Sequence, residues 1–385
     1  MRAGKQLGWV GVLLALASCG KHEVDAMDPE GPVVPPTTYN LMVPSNFPTP
    51  APVPVDNPTT VEGVALGRQL FYETALSLDH TVACATCHRQ ELAFTDGRAR
   101  ALGVNQGVSP RSAMALSNLA WEPKLAWDGA FGSLEAQARK PVENAVEMHQ
   151  PLAAGVARLQ QLAQYPPLFR QAFGSSTITE ENTLKALAQF ERTLISSNSR
   201  YDRFRRGDRT ALSADEQQGL VLFTTHPNGR LRGGNCSDCH SGDLQTNHTF
   251  SNNGLDAVPT DLGLGAVTGR PTDNGKFRVP SLRNIVLTAP YMHDGRFATL
   301  ADVVDHYNEH LRLNSPNIDP LLLNTTNDPR QQSFTLDLTA AEKAQLVAFL
   351  RTLTDSTFIR DSSLPGPRRR RATKRLLKSP GYGRG

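Results

Sequence analysis

Two cysteines separated by two residues and followed at once by a histidine occur at two places in this chain. This spacing lets both thiols add to the vinyl groups of one haem while the histidine binds the haem iron. Two unrelated redox or zinc-binding C-x-x-C pairs, each followed by a histidine, are the competing interpretation. Because the whole motif is repeated in a chain with only 5 cysteines, the sequence predicts two covalently attached haem c groups. The predicted attachment residues are Cys84, Cys87 and His88 for one haem, and Cys236, Cys239 and His240 for the other.

The length of the chain allows one domain for each haem. The 385 residues are 39% hydrophobic and 20% charged, which is enough for two hydrophobic cores. Alternating β-branched runs are sparse, whereas apolar residues at helical spacing recur. We therefore predict a mainly α fold with two cytochrome c-like domains, over residues 59–205 and 206–362, each binding one covalent haem c. The haem motifs are the only internal duplication that we identify.

Several helices must position these motifs. Helical patterns cover residues 61–73, 133–146, 179–196 and 213–225. Ser213 with Glu216, and Thr339 with Glu342, have the spacing of capping boxes, in which two side chains satisfy the first free N–H groups of a helix. The second box predicts a helix that ends near Leu353.

The N-terminus has the features of an export signal. Arg2 and Lys5 precede a short apolar run over residues 7–17, too short for a permanent membrane span. The run ends in Leu16–Cys19, which resembles the lipobox of bacterial lipoproteins. We predict a lipoprotein-type signal over residues 1–19 and a membrane anchor through lipid on Cys19, the cysteine left over by the haem motifs. Ordinary cleavage nearby is the alternative, and both place the protein outside the cytoplasm.

Two segments outside the domains differ in composition. Residues 20–58 include ten prolines between Pro29 and Pro58, which predicts an extended, poorly ordered linker. Residues 363–385 form a basic tail that we expect to be disordered, with contact to a membrane surface or anionic partner as the alternative. The tail holds eight of the positive charges, so the net charge of +3 becomes −5 without it. A mildly acidic folded part predicts no nucleic-acid partner.

Further motifs give the stretch from Leu66 to Leu353 a family resemblance. It resembles the bacterial di-haem cytochrome c peroxidases, including their MauG-type branch. Besides the haem motifs, the matching segments are Phe94–Gly97, Trp127–Gly129, Ser133–Gln137, Pro141–Met148, Val279–Asn284 and Leu287–Leu300.

The resemblance implies catalytic residues beside the first haem. In the family, a glutamine and a glutamate follow a tryptophan by ten and twenty residues, and Trp127, Gln137 and Glu147 have these intervals. Peroxide cleavage needs a base that moves a proton from one oxygen to the other. The resemblance therefore implies that Glu147 is the general acid/base, that Gln137 positions peroxide, and that Trp127 relays electrons between the haems.

The loop beside the first haem differs from the corresponding loop of many relatives. Reductively activated members carry a histidine on a loop after the first motif, where it caps the iron. Residues 90–148 contain no histidine, and Ala101–Gly107 occupies that loop. We expect the first haem to be five-coordinate or water-bound, and reactive without an activating electron.

The second haem has several alternatives for its distal ligand. Many relatives have a methionine fourteen residues after the histidine of the His-Asp-Gly motif, and that position is Tyr307 here. The MauG-type branch has tyrosine there, and an anionic oxygen ligand stabilises ferric iron better than a thioether does. His306, Met292 and an open site are the alternatives to Tyr307.

The resemblance also implies a calcium ion between the haems. Relatives hold it through a threonine and a proline carbonyl, which match Thr288 and Pro290. The asparagine that often completes the site is Ser112 here.

Three functions follow from these observations. The first is reduction of hydrogen peroxide to water, with electrons from a small periplasmic donor such as a cytochrome c or a copper protein. The second is a MauG-type enzyme that oxidises a partner protein or an organic substrate. The third, an electron-transfer cytochrome without catalysis, leaves Glu147 and Gln137 without a role.

Overall fold

The computed structural model describes residues 32–227, 231–323 and 336–366. The predicted signal over 1–19, Cys19 and the tail from 367 onwards lie outside the described residues. All described elements from Pro35 onwards belong to one compact unit. The α-helices are α1 (Val61–Phe71), α2 (Cys84–Cys87), α3 (Leu134–Glu143), α4 (Leu152–Gln161), α5 (Tyr165–Phe173), α6 (Glu180–Arg192), α7 (Arg200–Arg205), α8 (Ala214–Thr224), α9 (Leu264–Thr268), α10 (Leu300–Glu309), α11 (Pro320–Leu323) and α12 (Ala340–Arg351).

The prediction of a mainly helical chain is confirmed. Two strands of two residues each, β1 (Phe250–Ser251) and β2 (Phe277–Arg278), pair antiparallel with Phe250 opposite Arg278. Among the described residues, no helix is long and apolar enough to cross a membrane.

The local sequence signals that start the helices behave as predicted. Ser213 and Glu216 form a reciprocal capping box at the start of α8. Thr339 and Glu342 do the same for α12, which ends at Arg351. Each box satisfies free backbone N–H groups of its own helix, so this part of the fold needs no distant partner.

Each half of the molecule is built on a close helix crossing at a glycine. In the first half, α1 meets α6 where a Cβ on Gly67 would lie 1.9 Å from the Ala186 carbonyl oxygen. In the second half, α8 meets α12 where a Cβ on Gly219 would lie 2.0 Å from the Gln345 carbonyl oxygen. Only glycine lets the two backbones approach this closely. Leu66, Leu70 and Phe71 anchor the first hydrophobic cluster, and Leu222, Phe223 and Phe349 anchor the second.

A second duplicated unit follows the first helix in each half. Asn118 and Asn284 both adopt a left-handed φ of 61°. Their backbone N–H groups donate to Leu194 and Leu353, at 2.7 and 3.0 Å, just beyond the ends of α6 and α12. The duplication in the structure therefore extends beyond the haem motifs, which are the only duplication identified from the sequence.

The duplicated unit continues into a helix with equivalent positions in both halves. Leu125 pairs with Phe131 in one half and Tyr291 with Phe297 in the other, each across a tight turn. Helices α3 and α10 begin three residues later. Consequently α3, which carries Gln137, corresponds to α10, which carries Tyr307.

The second part of the predicted linker is packed against the fold. Phe47 is 7% exposed and meets Trp121 edge-on at 5.3 Å between ring centroids. Asn57 is 1% exposed and donates from its amide to Glu135. Proline stiffens residues 32–58 without preventing these contacts, so the expectation of a loose linker needs correction here.

The predicted domain boundaries stay a prediction. Tyr201 already belongs to the second cluster, before the boundary at 205. Phe358 and Leu364 pack into the first cluster, so the chain returns to the first half after α12.

Candidate haem-binding active site

The first haem motif lies in the interior of the first half. Helix α2 holds Cys84 and Cys87, and burial raises the pKa of these thiols to about 12 and about 11. His88 Nδ1 lies 2.8 Å from the Phe94 carbonyl oxygen and donates to it. Burial lowers the pKa of His88, which favours the neutral ring. The hydrogen bond on Nδ1 leaves Nε2 with the lone pair that an iron ligand requires.

The second motif repeats this arrangement. Burial raises the pKa of Cys236 to about 12 and that of Cys239 to about 11. His240 Nδ1 lies 3.1 Å from the Pro280 carbonyl oxygen, and burial lowers the pKa of His240 to about 4. Burial therefore favours the neutral form of both histidines, and a backbone carbonyl orients each ring through Nδ1.

A large cavity adjoins the second motif. Its volume is about 1810 Å³, including the part that opens to solvent. The residue types and the space fit a covalently attached haem, because two thiols and a neutral imidazole face one apolar cavity. Its lining includes Cys236, Cys239, His240, Trp127, Tyr307, Met292, Ser112, Thr288 and Pro290.

Glu147 is brought back beside the first motif by a turn after α3. The N–H groups of Met148 and Gln150 donate to the carbonyls of Pro141 and Val142, at 3.1 and 2.8 Å, so the chain folds back on the last turn of α3. Asn144 donates from its amide to Glu147 Oε1 at 2.6 Å. Burial raises the pKa of Glu147 above its ordinary value of 4.5. The negative charge of Glu147 also contributes to the raised pKa of both Cys84 and Cys87, which places the carboxyl near the first motif.

The loop that lacks a histidine packs directly on the backbone of Glu147. Val104 N–H donates to the Glu147 carbonyl at 2.7 Å, and the Val104 side chain is buried in the first cluster. A Cβ on Gly103 would lie 2.3 Å from the Glu147 carbonyl oxygen. The loop thus fixes the position of the segment that bears the carboxyl.

The other two residues implied by the family resemblance, Gln137 and Trp127, have different surroundings. Gln137 is half-buried on α3, between the buried residues Leu134 and Ala138. Trp127 lines the cavity of the second motif and donates from Nε1 to the Ser112 carbonyl at 3.0 Å. Its own carbonyl accepts from Arg278 N–H at 2.8 Å, which ties the tryptophan to the second half.

Asn253 contacts all three side chains that are alternatives for the distal ligand of the second haem. Tyr307 and Met292 line the cavity, and the Asn253 amide nitrogen lies 3.2 Å from Tyr307 Oη and 3.4 Å from Met292 Sδ. His306 instead places Nε2 3.0 Å from the backbone carbonyl oxygen of Asn253. Burial raises the pKa of Tyr307 to about 12. The charges of Cys236 and Cys239 add to this shift, so the phenol lies close to the second motif.

The residues of the predicted calcium site share the cavity wall. Thr288 Oγ1 donates to the Ile285 carbonyl at 3.0 Å, and Ser112 Oγ donates to the Met292 carbonyl at 3.0 Å. Within the described ranges, no group of three or more His, Cys, Asp and Glu side chains could hold a metal ion. A calcium site here would therefore depend on hydroxyl and carbonyl oxygens.

Comparison with known proteins decides the family. Residues 61–210 match the family model described as di-haem cytochrome c peroxidase. The methylamine utilization protein MauG of Methylorubrum extorquens is 41% identical over 263 residues, which cover 68% of this chain and 72% of that protein. This chain belongs to the di-haem cytochrome c peroxidase family.

Other members of the family agree. The cytochrome-c peroxidase IdrP1 of a Pseudomonas species is 32% identical over 351 residues, covering 82% of this chain and 88% of that protein. The crystal structure of a MauG-like protein associated with microbial copper homeostasis has a TM-score of 0.76 and 36% identity, covering 86% of this chain and all of that one. The predicted family and fold class are confirmed. The chain is a di-haem oxidoreductase that carries two haem c groups.

Sequence reasoning missed several residues of this di-haem peroxidase. Arg278 and Glu122, each 5% exposed in their side chains, form an ion pair of 2.7 Å between the two halves and line the cavity. Arg278 directly precedes the matched segment Val279–Asn284, so extending that motif by one residue would have included it. Asn253 gave no sequence signal, because its contacts are made far along the chain.

Proposed function

We propose that this enzyme reduces hydrogen peroxide to water with electrons from a small periplasmic donor, either a cytochrome c or a copper protein. The observation that carries the proposal is a half-buried carboxyl, Glu147, held beside the first haem motif with a raised pKa. When bound, the haem iron supplies the redox chemistry, and two electrons and two protons convert each peroxide to two waters.

Glu147 is suited to moving the peroxide proton. In its ionised form it accepts the proton of one peroxide oxygen, and it then donates that proton to the oxygen that leaves as water. Burial raises the pKa of Glu147 toward the working pH range, where a carboxyl both accepts and returns protons efficiently. The short hydrogen bond from Asn144 keeps the carboxyl in one orientation.

Gln137 and Trp127 take supporting roles in this proposal. Gln137 projects from α3, the helix whose last turn also holds the Glu147 segment, and its amide positions peroxide. Trp127 lines the cavity of the second haem and is bonded to both halves, through the Ser112 carbonyl and the Arg278 N–H. An electron path between the haems through this ring is consistent with both contacts.

A second function is favoured by the cavity around the second motif. Tyr307 lines this cavity and lies close to Cys236 and Cys239, as a tyrosine ligand of the second haem would. The loop Ala101–Gly107 provides no histidine for the first haem. Both features suit a MauG-type enzyme that oxidises a partner protein or an organic substrate from the fully oxidised state. His306 is the weaker ligand alternative, because its Nε2 is bonded to the Asn253 carbonyl.

The test is stopped-flow absorbance of the fully oxidised protein mixed with hydrogen peroxide, without reductant. We expect a rapid change in haem absorption in the wild type. Glu147→Gln should slow it by about 100-fold or more, in the range of lost general acid–base catalysis. The wild-type rate should fall as the pH drops through a pKa above 4.5, because protonated Glu147 cannot accept the peroxide proton. Glu143→Gln is the matched control, since Glu143 lies on α3 but is exposed and paired with Arg139.

The outcomes separate the functions. An unchanged rate in Glu147→Gln would remove the proposed role of Glu147. Reaction only after addition of one electron would indicate a reductively activated peroxidase. Reaction without reductant, followed by slow peroxide turnover with any small donor, would favour the MauG-type function.

We further propose a calcium ion held by the Thr288 hydroxyl and the Pro290 carbonyl, because both line the cavity together with Ser112. Calcium binds six to eight oxygens, so water would complete the site. Chelation should alter the haem spectra and slow the peroxide reaction, and unchanged spectra and rates would refute the site.

Export with a lipid anchor on Cys19 remains part of the proposal. It is supported by the apolar run and the lipobox-like segment of the sequence. Labelled fatty acid should enter the wild-type protein in a bacterial host, and Cys19→Ser should abolish that label.

A further inference from the structure

Asn253 touches every side-chain alternative for the distal ligand of the second haem. Its side-chain amide nitrogen lies 3.2 Å from Tyr307 Oη and 3.4 Å from Met292 Sδ, while its backbone carbonyl oxygen lies 3.0 Å from His306 Nε2. Asn253 lies 54 residues before Tyr307, so the tertiary fold creates the contact. Asn253 therefore contacts two of the three competing ligands through its side-chain amide and the third through its backbone carbonyl.

The carbonyl of Asn253 keeps His306 away from the cavity. For Nε2 to donate to this carbonyl it must carry the proton, and a protonated nitrogen has no lone pair for iron. The His306 ring is also packed at 5.4 Å from the Phe297 ring, and it is 3% exposed. Turning His306 toward the cavity would break this hydrogen bond. It would also disturb the packing of His306 on Phe297, which borders the second hydrophobic cluster.

The amide of Asn253 discriminates between the two ligands that remain. A phenol oxygen, and still more a phenolate oxygen, accepts hydrogen bonds strongly, whereas a thioether sulfur accepts them weakly. Tyr307 is buried, and burial disfavours a charged oxygen unless a donor compensates it. Among the hydrogen bonds of the described residues, the Asn253 amide is the donor that reaches Tyr307 Oη.

We propose that Asn253 is a positioning residue whose side-chain amide selects Tyr307 over Met292 as the distal ligand of the second haem, while its backbone carbonyl holds His306 aside. Its amide N–H also draws electron density from the tyrosine oxygen, which weakens the donation of that oxygen to iron. This hydrogen bond therefore keeps the midpoint potential of the second haem higher than it would be with a tyrosine ligand that accepts no hydrogen bond. This inference rests on the proposed ligation by Tyr307.

The test compares full-length variants that carry both haems. Asn253→Leu removes the amide, Asn253→Asp removes the N–H donor at constant size, and Asn253→Gln keeps an amide. Each variant is studied by optical and electron paramagnetic resonance spectroscopy of the ferric second haem, and by its midpoint potential in spectroelectrochemistry. We expect the leucine and aspartate variants to shift the potential to more negative values, or to replace the tyrosine signature by a thioether one. Asn253→Gln should restore the wild-type values at least in part.

Asn252→Leu is the matched control. Asn252 is a neighbouring buried amide that donates to Ser315 and the Pro316 carbonyl and accepts from Gly254 N–H, so its loss loosens the same segment without removing a donor to Tyr307. We expect this variant to lower the thermal unfolding midpoint and to leave the haem potential and spectrum unchanged. An equal shift of potential in Asn252→Leu, or none in both Asn253→Leu and Asn253→Asp, would overturn the inference.

Tyr307→Phe separates this inference from its premise. Loss of the tyrosine signature in this variant, together with unchanged spectra in the Asn253 variants, would leave Tyr307 as ligand and refute only the role of Asn253. An unchanged spectrum in Tyr307→Phe would refute both. The peroxide reaction of Glu147→Gln tests the proposed function independently, because Glu147 lies beside the other haem motif.

Discussion

Glu191, in the first half, shows how burial changes the pKa of a carboxyl group. Glu191 on α6 is 5% exposed, and its Oε2 has no hydrogen-bond partner in the described part of the chain. Burial raises the pKa of Glu191 to about 8, and the charge of Glu135 adds to the shift, while Arg192 opposes it. The folded protein therefore binds a proton here that the unfolded chain has lost at neutral pH.

This shift predicts that Glu191→Gln stabilises the protein at neutral and alkaline pH. Since the pKa is raised in the folded state, the native protein is favoured fully below the unfolded pKa of 4.5 and loses this stability as the pH rises through about 8. Each pKa unit corresponds to about 1.4 kcal/mol, so we expect a gain on the order of 2 kcal/mol at pH 7 and none near pH 4. Urea unfolding of the variant across this pH range measures the gain.

The control for Glu191 lies on the same helix. Glu181 is exposed and paired with Lys185, so Glu181→Gln should change the free energy of unfolding by less than about 0.5 kcal/mol. A gain for Glu191→Gln that does not vary with pH would contradict the explanation.

At the scale of elements, the loop Ala101–Gly107 supports the catalytic carboxyl through its backbone. Gly103 and Gly107 both lie against the segment Val146–Glu147, where a Cβ would come within 2.9 Å of backbone atoms. The absence of side chains at these two positions thus lets the loop hold the turn after α3.

We predict that Gly103→Ala displaces this turn and slows the peroxide reaction. Its Cβ would lie 2.3 Å from two backbone carbonyl oxygens, which cannot rotate away as a flexible side chain would. A displacement of about 1 Å at a catalytic group costs up to about 100-fold in rate. Stopped-flow mixing with peroxide measures the rate, and the pyridine haemochrome assay checks that both haems are still attached.

Gly132→Ala provides the comparison for the loop. Gly132 also precedes α3, but a Cβ there would meet no atom within 4 Å. We expect near wild-type rates. If both alanine variants react equally fast, the loop does not control the position of Glu147.

At the scale of the whole molecule, two similar halves are joined by polar contacts around Trp127. Arg111 bonds Asp128 at 2.5 Å and Asp261 at 2.8 Å, and so links the residue next to Trp127 to the second half. Glu122 bonds both Arg278 and His248 across the same interface. Trp127 is therefore held in a fixed orientation where the two halves meet, in the wall of the second motif's cavity.

Trp127→Phe should slow electron transfer between the haems at little cost in stability. The variant loses the Nε1–H bond to the Ser112 carbonyl, worth about 1 kcal/mol, and the larger ring that lines the cavity. Flash reduction of one haem, followed by absorbance of the other, measures the transfer rate. Trp121→Phe is the control, because Trp121 makes a comparable bond to the Pro48 carbonyl at 2.7 Å and packs on Phe47, but does not line the cavity of the second motif. Equal transfer rates in both variants would make Trp127 structural only.

Part of the duplication is present in the sequence as two short repeated patterns. Gly67–Phe71 and Gly219–Phe223 share the pattern G-x-x-L-F, and Phe190–Leu194 and Phe349–Leu353 share F-x-R-T-L. These short patterns are too weak alone to predict a repeat. They gain meaning once the structure shows that both form the same glycine-centred helix crossing.

The sequence by itself determined the helix caps and the family with its two haem c groups, and it predicted where the haems attach. Thiol addition and histidine ligation involve residues within five positions, and a capping box involves residues three apart, so local order is sufficient for both. Only the tertiary structure decided that Tyr307, and not its neighbour His306, faces the cavity of the second motif. Tyr307 and His306 are neighbours on α10, and a contact with Asn253, 53 and 54 residues away, distinguishes them. The packing of residues 32–58 was decided in the same way, because Phe47 and Asn57 are buried by partners distant in the chain.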